Sequence, residues 1–220
     1  MSTSLSFQTS GPASGKKPSQ MVVLLHGLGA NGADLLSLAP YWAGSLPDAI
    51  FVAPDAPDPC DMAPFGYQWF SLQDRNLEVM EKGARKAAPL LNKFLDEQIA
   101  AHNISAEKLA LVGFSQGTMM ALFAAPRRHP APAAVVGYSG ALIAPAALAG
   151  ETIGKFPVLL VHGEADPVVP FMAMGHAEKN LRTAGFTVTA LPRPGLGHSI
   201  DPEGLNAGAA FLRQSFAAKP

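Results

Sequence analysis

Five residues, Gly113-Phe114-Ser115-Gln116-Gly117, constrain this chain more than any others. Leu109 to Phe114 is a short apolar run of the kind that forms a strand buried on both faces. Met119 to Leu122, just beyond, are good helix formers. Ser115 therefore falls on a sharp strand-to-helix turn, where Gly-x-Ser-x-Gly is a nucleophile elbow. A side chain at Gly113 or Gly117 would collide with a neighbouring strand or with the turn itself. The helix that starts at Gln116 offers free N–H groups and a positive dipole end, both suited to a developing oxyanion. An elbow of this kind requires an acid and a histidine downstream, and a second oxyanion donor from an earlier strand-end loop.

The rest of the chain alternates strand and helix patterns. An edge strand is expected over Leu5 to Thr9, inside a Gly, Pro, Ser and Lys-rich segment, residues 1–20, that reads as flexible. Residues 21–220 then read as a single domain, with strands at Met21 to Leu25, Ile50 to Ala53, Leu109 to Phe114, Ala133 to Tyr138, Val158 to Val161 and Val188 to Leu191. Helical spacing is expected over 34–42, 76–102, 171–185 and 202–216, with Pro89 as a kink or break in the second of these. This order predicts an α/β fold: a mostly parallel central sheet with helices on both faces and no large cap domain.

Composition narrows the function classes. With 220 residues, 48% of them hydrophobic, the chain is long enough to bury about 70 to 75% of its unfolded surface. Sixteen Lys and Arg against 17 Asp and Glu give a net charge of −1, so no basic field awaits nucleic acid. No 18-residue apolar run and no leader-like apolar segment is found, which argues against stable membrane insertion and for a soluble, cytoplasmic protein. The single cysteine, Cys60, agrees with a reducing compartment and reads as a thiol without chemistry.

The first strong strand runs into His26-Gly27-Leu28-Gly29. This glycine-rich loop lacks the Lys-Ser/Thr ending of a nucleotide loop, and the Leu28 N–H is assigned as the second oxyanion donor beside Gln116. His26 itself reads as a hydrogen-bonded structural histidine. The acid and base must lie at strand ends. His129 and His176 fall on helix positions, whereas His198 follows the last strand between flexible residues and is preferred as the base, with His162 as the alternative. Asp166, ahead of Pro167, is preferred over Glu164 as the residue that orients it. Phe65, Tyr67, Trp69 and Phe70 crowd one loop, read either as a satellite hydrophobic cluster or as a wall of an apolar substrate pocket. Trp69, Phe70, Met119 and Val168 are the candidate pocket residues. Met119, Met172 and Met174 fit either an adaptable wall or the core.

Leu25-His26-Gly27-Leu28-Gly29, Gly113-Phe114-Ser115-Gln116-Gly117, His162-Gly163-x-x-Asp166-Pro167-x-Val169-Pro170 and Gly197-His198-Ser199 together resemble the phospholipase/carboxylesterase family of α/β-hydrolases, to which the acyl-protein thioesterases belong. The resemblance spans residues 21–200. It implies an α/β-hydrolase fold, a Ser115–Asp166–His198 triad, oxyanion donors at Leu28 and Gln116, and neither metal nor organic cofactor. The chain departs from many relatives at Thr118, where they have a second glycine, and at Ser71-Leu72-Gln73, where they have a carboxylate after Trp-Phe. The expected activity is that of a serine carboxylesterase acting on small-molecule esters of short to medium chain length. An acyl-protein thioesterase or lysophospholipase is the alternative enzyme, and an α/β-hydrolase-like binding module the alternative class. The aromatic loop is a candidate surface for a homodimer.

Overall fold

The computed structural model describes residues 4–218. In chain order its strands are β1 (Phe7–Ser10), β2 (Gln20–Leu25), β3 (Ala49–Pro54), β4 (Asp58–Pro59), β5 (Tyr67–Gln68), β6 (Leu109–Phe114), β7 (Ala134–Tyr138), β8 (Val158–Gly163) and β9 (Val188–Arg193). Strands β4 and β5 pair only with each other, as a small antiparallel hairpin. The other seven form one sheet in the order β1-β3-β2-β6-β7-β8-β9. All neighbours in it are parallel except β1, which lies antiparallel along β3.

Parallel sheets must be covered on both faces, because the crossovers that connect their strands carry helices. The helices here are α1 (Gly32–Leu36), α2 (Ala39–Trp42), α3 (Leu77–His102), α4 (Gln116–Ala124), α5 (Pro145–Glu151), α6 (Met172–Thr183) and α7 (Pro202–Ala217). The two-residue period of β2 divides the core in two: Met21, Val23 and Leu25 join the layer of α3, α4 and α6, while Val22 and Leu24 join that of α1, α2 and α7. No helix among the described residues is long and apolar enough to cross a membrane.

Several elements differ from the sequence reading, each for a local reason. The helical pattern over 34–42 splits in two, with Pro40 in the first turn of α2, where a missing N–H costs nothing. The first edge strand lies at Phe7–Ser10, and the Pro and Ala-rich stretch before β8 contains α5. Helix α3 runs unbroken through Pro89. The Asn76 side chain accepts the Glu78 N–H at its start, and Asn103 in the left-handed region, at φ +53°, ends it.

Candidate active site

Strand β6 and helix α4 are separated by Ser115 alone, which adopts φ +53° and ψ −115°. A non-glycine residue held there stores roughly 1–3 kcal/mol, so the surroundings must over-determine it. The Ser115 N–H donates to the Tyr138 carbonyl on β7 at 2.9 Å, and the Ser115 carbonyl accepts the Met119 N–H at 3.2 Å. A Cβ on Gly113 would lie 2.3 Å from the Thr118 nitrogen, and one on Gly117 only 1.8 Å from the Leu25 carbonyl oxygen. The turn is thus wedged against itself on one side and against β2 on the other. Thr118 is accommodated by small residues facing it: Cβ atoms on Gly137 and Gly140 would come within 2.6 Å of its Cγ2. Its hydroxyl lies 2.8 Å from both the Gly113 and Tyr138 carbonyls. Every residue of α4 is buried, and the N–H groups of its first turn have no acceptor within the helix.

The glycine loop after β2 lies directly against Ser115, since a Cβ on Gly27 would sit 3.3 Å from the Ser115 Cβ. His26 fixes this loop. Its Nδ1–H donates to the Gly27 carbonyl at 2.7 Å and its Nε2 accepts the Ala56 N–H at 2.9 Å. Burial pushes its pKa below the ordinary 6.5, against an opposing pull from the Gly27 carbonyl, so the ring is neutral. The His26 carbonyl accepts Trp69 Nε1–H at 3.0 Å. The Trp69 backbone N–H in turn donates to Gln116 Oε1 at 2.9 Å, and Gln116 Nε2 donates to the Phe70 carbonyl at 2.6 Å.

Trp69 and Phe70, read in the sequence either as a satellite hydrophobic cluster or as a pocket wall, do not line the pocket that contains Ser115. They are 1% and 3% exposed. They pack beneath the elbow because the Gln116 amide and the His26 carbonyl satisfy their polar atoms there. The cavity they do border is a separate one of about 210 Å³, shared with Lys86 and Leu90 on α3.

The acid and the imidazole come from the loops after β8 and β9. Asp166 Oδ2 accepts His198 Nδ1–H at 2.7 Å, while Oδ1 accepts the N–H groups of Val168 and Val169 at 2.8 and 2.9 Å. Burial alone would raise this carboxyl, but the His198 bond and the two backbone donors outweigh it and hold the pKa below the usual carboxylate value. With Nδ1–H donated to Asp166, Nε2 is the ring nitrogen on the side away from that carboxylate. The His198 ring packs at a 45° tilt against that of Phe114, the residue before Ser115, with centroids 4.8 Å apart. Close approach aligns the two loops: a Cβ on Gly163 would meet the Leu196 carbonyl at 2.2 Å, and the Ala165 N–H donates to that same carbonyl at 3.0 Å.

The alternatives raised by the sequence take other places. His162 is buried, with Nε2 2.9 Å from the Val169 carbonyl and 3.4 Å from Asp166 Oδ2, so it supports the acid loop from below. Glu164 is exposed, as are His129 and His176. Nothing in the sequence marked the Gln116 side chain as a member of this assembly, because its partners Trp69 and Phe70 lie far from it in the chain; His162, marked as an alternative base, instead bonds the Val169 carbonyl.

Ser115, Leu28, Met119 and Val168 share one pocket of about 300 Å³. Leu72, Met80, Val169 and Ala173 complete its apolar wall, and Arg75 is its one charged residue. Met80 carried a signal, since it lies on the apolar face of α3; Arg75 carried none. Met174 is buried in the core, while Met172 is exposed. Among the described residues no three His, Cys, Asp or Glu side chains are grouped as a metal site would require.

The chain is similar to known esterases over nearly its whole length. The chain is 39% identical to esterase PE8, whose crystal structure superposes with a TM-score of 0.92 over 96% of this chain and 99% of that one. It is 29% identical over 198 residues to esterase YpfH of Escherichia coli K12, covering 90% of this chain and 84% of YpfH. It is 27% identical over 215 residues to acyl-protein thioesterase 1 of Gibberella zeae, covering 90% and 91% of the two chains. Residues 12–216 match the Phospholipase/Carboxylesterase family. With its mostly parallel seven-stranded sheet and helices on both faces, the chain belongs to the phospholipase/carboxylesterase family of α/β-hydrolases.

Proposed function

We propose that Ser115, His198 and Asp166 are the nucleophile, base and orienting acid of a serine carboxylesterase that hydrolyses short- to medium-chain esters. Ester hydrolysis of the carboxylesterase type is the chemistry of the family; the roles of individual residues are our reading. The observation that carries it is the 2.7 Å bond from His198 to Asp166, with the imidazole packed at a tilt against the elbow residue Phe114.

In this mechanism His198 Nε2 takes the Ser115 proton as Oγ attacks the ester carbonyl. The backbone N–H groups of Leu28 and Gln116 receive the oxyanion. Collapse expels the alcohol, protonated by His198, and leaves an acyl-enzyme. Water activated by the same base then releases the acid. Asp166 keeps the imidazole in the Nδ1–H tautomer and steadies its positive charge throughout. A cytoplasmic setting fits a chain whose one cysteine, Cys60, has no partner for an internal disulfide.

The test is hydrolysis of p-nitrophenyl esters from acetate to laurate, with Ser115→Ala as the control. Activity that peaks at short to medium chains and is lost in the variant is the expected result. A steady rise to laurate would move the reading to long acyl groups, the alternative favoured by the likeness to acyl-protein thioesterase 1. Folded protein inert on every ester would overturn the reading.

A further inference from the structure

The pocket at Ser115 is apolar except in two places, the nucleophile and Arg75. Arg75 is exposed in the segment between β5 and α3. It makes no ion pair among the described residues, although two acidic side chains are close in sequence. Asp74 Oδ1 accepts the Asn76 N–H at 2.8 Å, and Glu78 lies in the first turn of α3, where it favours the helix dipole. A guanidinium that presents a fork of donors and has no carboxylate of its own fits an oxygen anion supplied from outside. In a pocket otherwise formed by Leu28, Leu72, Met80 and Val169, one such group is the kind of polar element that selects and orients a ligand.

Resting on the reading of Ser115 as nucleophile, we infer that the preferred substrates are aliphatic esters that carry an anionic group, with their methylenes along the apolar wall and the anion on Arg75. An alkyl ester without the charge fills the same wall but leaves the guanidinium to water. The anion belongs either to the acyl or to the alcohol half of the ester, and matched substrate pairs distinguish the two.

The experiment measures kcat/KM for monomethyl adipate against methyl hexanoate, and for 6-acetoxyhexanoate against hexyl acetate, in wild type, Arg75→Gln and Arg75→Lys. Arg75→Gln is expected to lower kcat/KM for at least one anionic ester by about tenfold or more, through KM, with the neutral partner within about twofold. Arg75→Lys restores part of the loss because the charge remains, and added salt weakens the discrimination in wild type. The pair that responds identifies which half of the ester bears the anion. If Arg75→Gln changes charged and neutral esters alike, or neither, the anion site is overturned while Ser115-dependent hydrolysis of the neutral esters leaves the esterase standing. If wild type and Ser115→Ala are equally inert on the neutral esters and on p-nitrophenyl butyrate, the esterase reading fails and the anion site with it.

Discussion

Gln116 and Trp69 are locked together: Gln116 Oε1 accepts the Trp69 N–H at 2.9 Å, and the same amide donates to the Phe70 carbonyl at 2.6 Å. Since Trp69 Nε1–H also reaches the His26 carbonyl, one buried chain of bonds joins the residue after Ser115 to the loop that carries Leu28. Both oxyanion donors of the proposed mechanism are therefore aimed by Trp69. Trp69→Phe keeps an aromatic ring but leaves the buried His26 carbonyl without its donor, a loss on the order of 1–3 kcal/mol. Steady-state kinetics should show kcat lowered about tenfold or more with KM little changed. A variant with unchanged kcat would separate this network from catalysis.

Asp166→Asn should remain folded and lose turnover by a factor on the order of 10⁴, because the amide no longer holds the Nδ1–H tautomer of His198. Glu164→Gln, on an exposed side chain, should keep near-normal turnover. Circular dichroism alongside kinetics on both variants checks this, and the reverse ranking would reassign the acid.

The pH dependence of stability should carry a signature of His26. The unfolded chain takes up a proton there near the ordinary value of about 6.5, while the folded chain, with its lowered pKa, resists it. The unfolded state thus binds more protons, so the associated stability is complete above that value and is lost as the pH falls through it. Tm should fall between pH 7 and 5.5 in the wild type and fall less steeply in His26→Gln. Parallel Tm curves would show that the histidine does not contribute.

Thr118→Val preserves the shape that Gly137 and Gly140 accommodate but removes the hydroxyl from the Gly113 and Tyr138 carbonyls. The expected cost is about 1–2 kcal/mol, read by calorimetry as a Tm lower by roughly 2–8 °C. An unchanged Tm would mean that the methyl group alone accounts for the residue.

Much of the fold was legible because the central strands β2, β6, β7 and β8 are apolar runs that end at or near a glycine, and because Gly113 and Gly117 are required by contacts within a few residues of the turn or with the adjacent strand. What was not legible depends on paths through space. The aromatic loop has no periodicity, so nothing local reveals that Trp69 and Phe70 face the underside of the elbow while Leu72 faces the pocket. Arg75 reaches that pocket only because the turn into α3 passes beside it. Helix α5 was hidden by a Pro and Ala-rich stretch whose short helix buries little besides Leu148. Asp166 and Glu164 share one loop and differ only in direction: Asp166 turns inward, where its Oδ1 accepts the Val168 and Val169 N–H groups, while Glu164 is exposed.

Helix α4 is buried from end to end, whereas His198 follows β9, a sheet-edge strand whose residues are mostly half-buried or exposed. Ser115, the nucleophile of the proposed mechanism, is therefore joined to a fully buried helix, and His198, its proposed base, to a sheet-edge segment of the kind that opens locally at lower cost. Gentle warming should disarm the imidazole while the serine is still in place, so that heat inactivation begins as a reversible loss of the base and becomes irreversible only when the whole domain gives way.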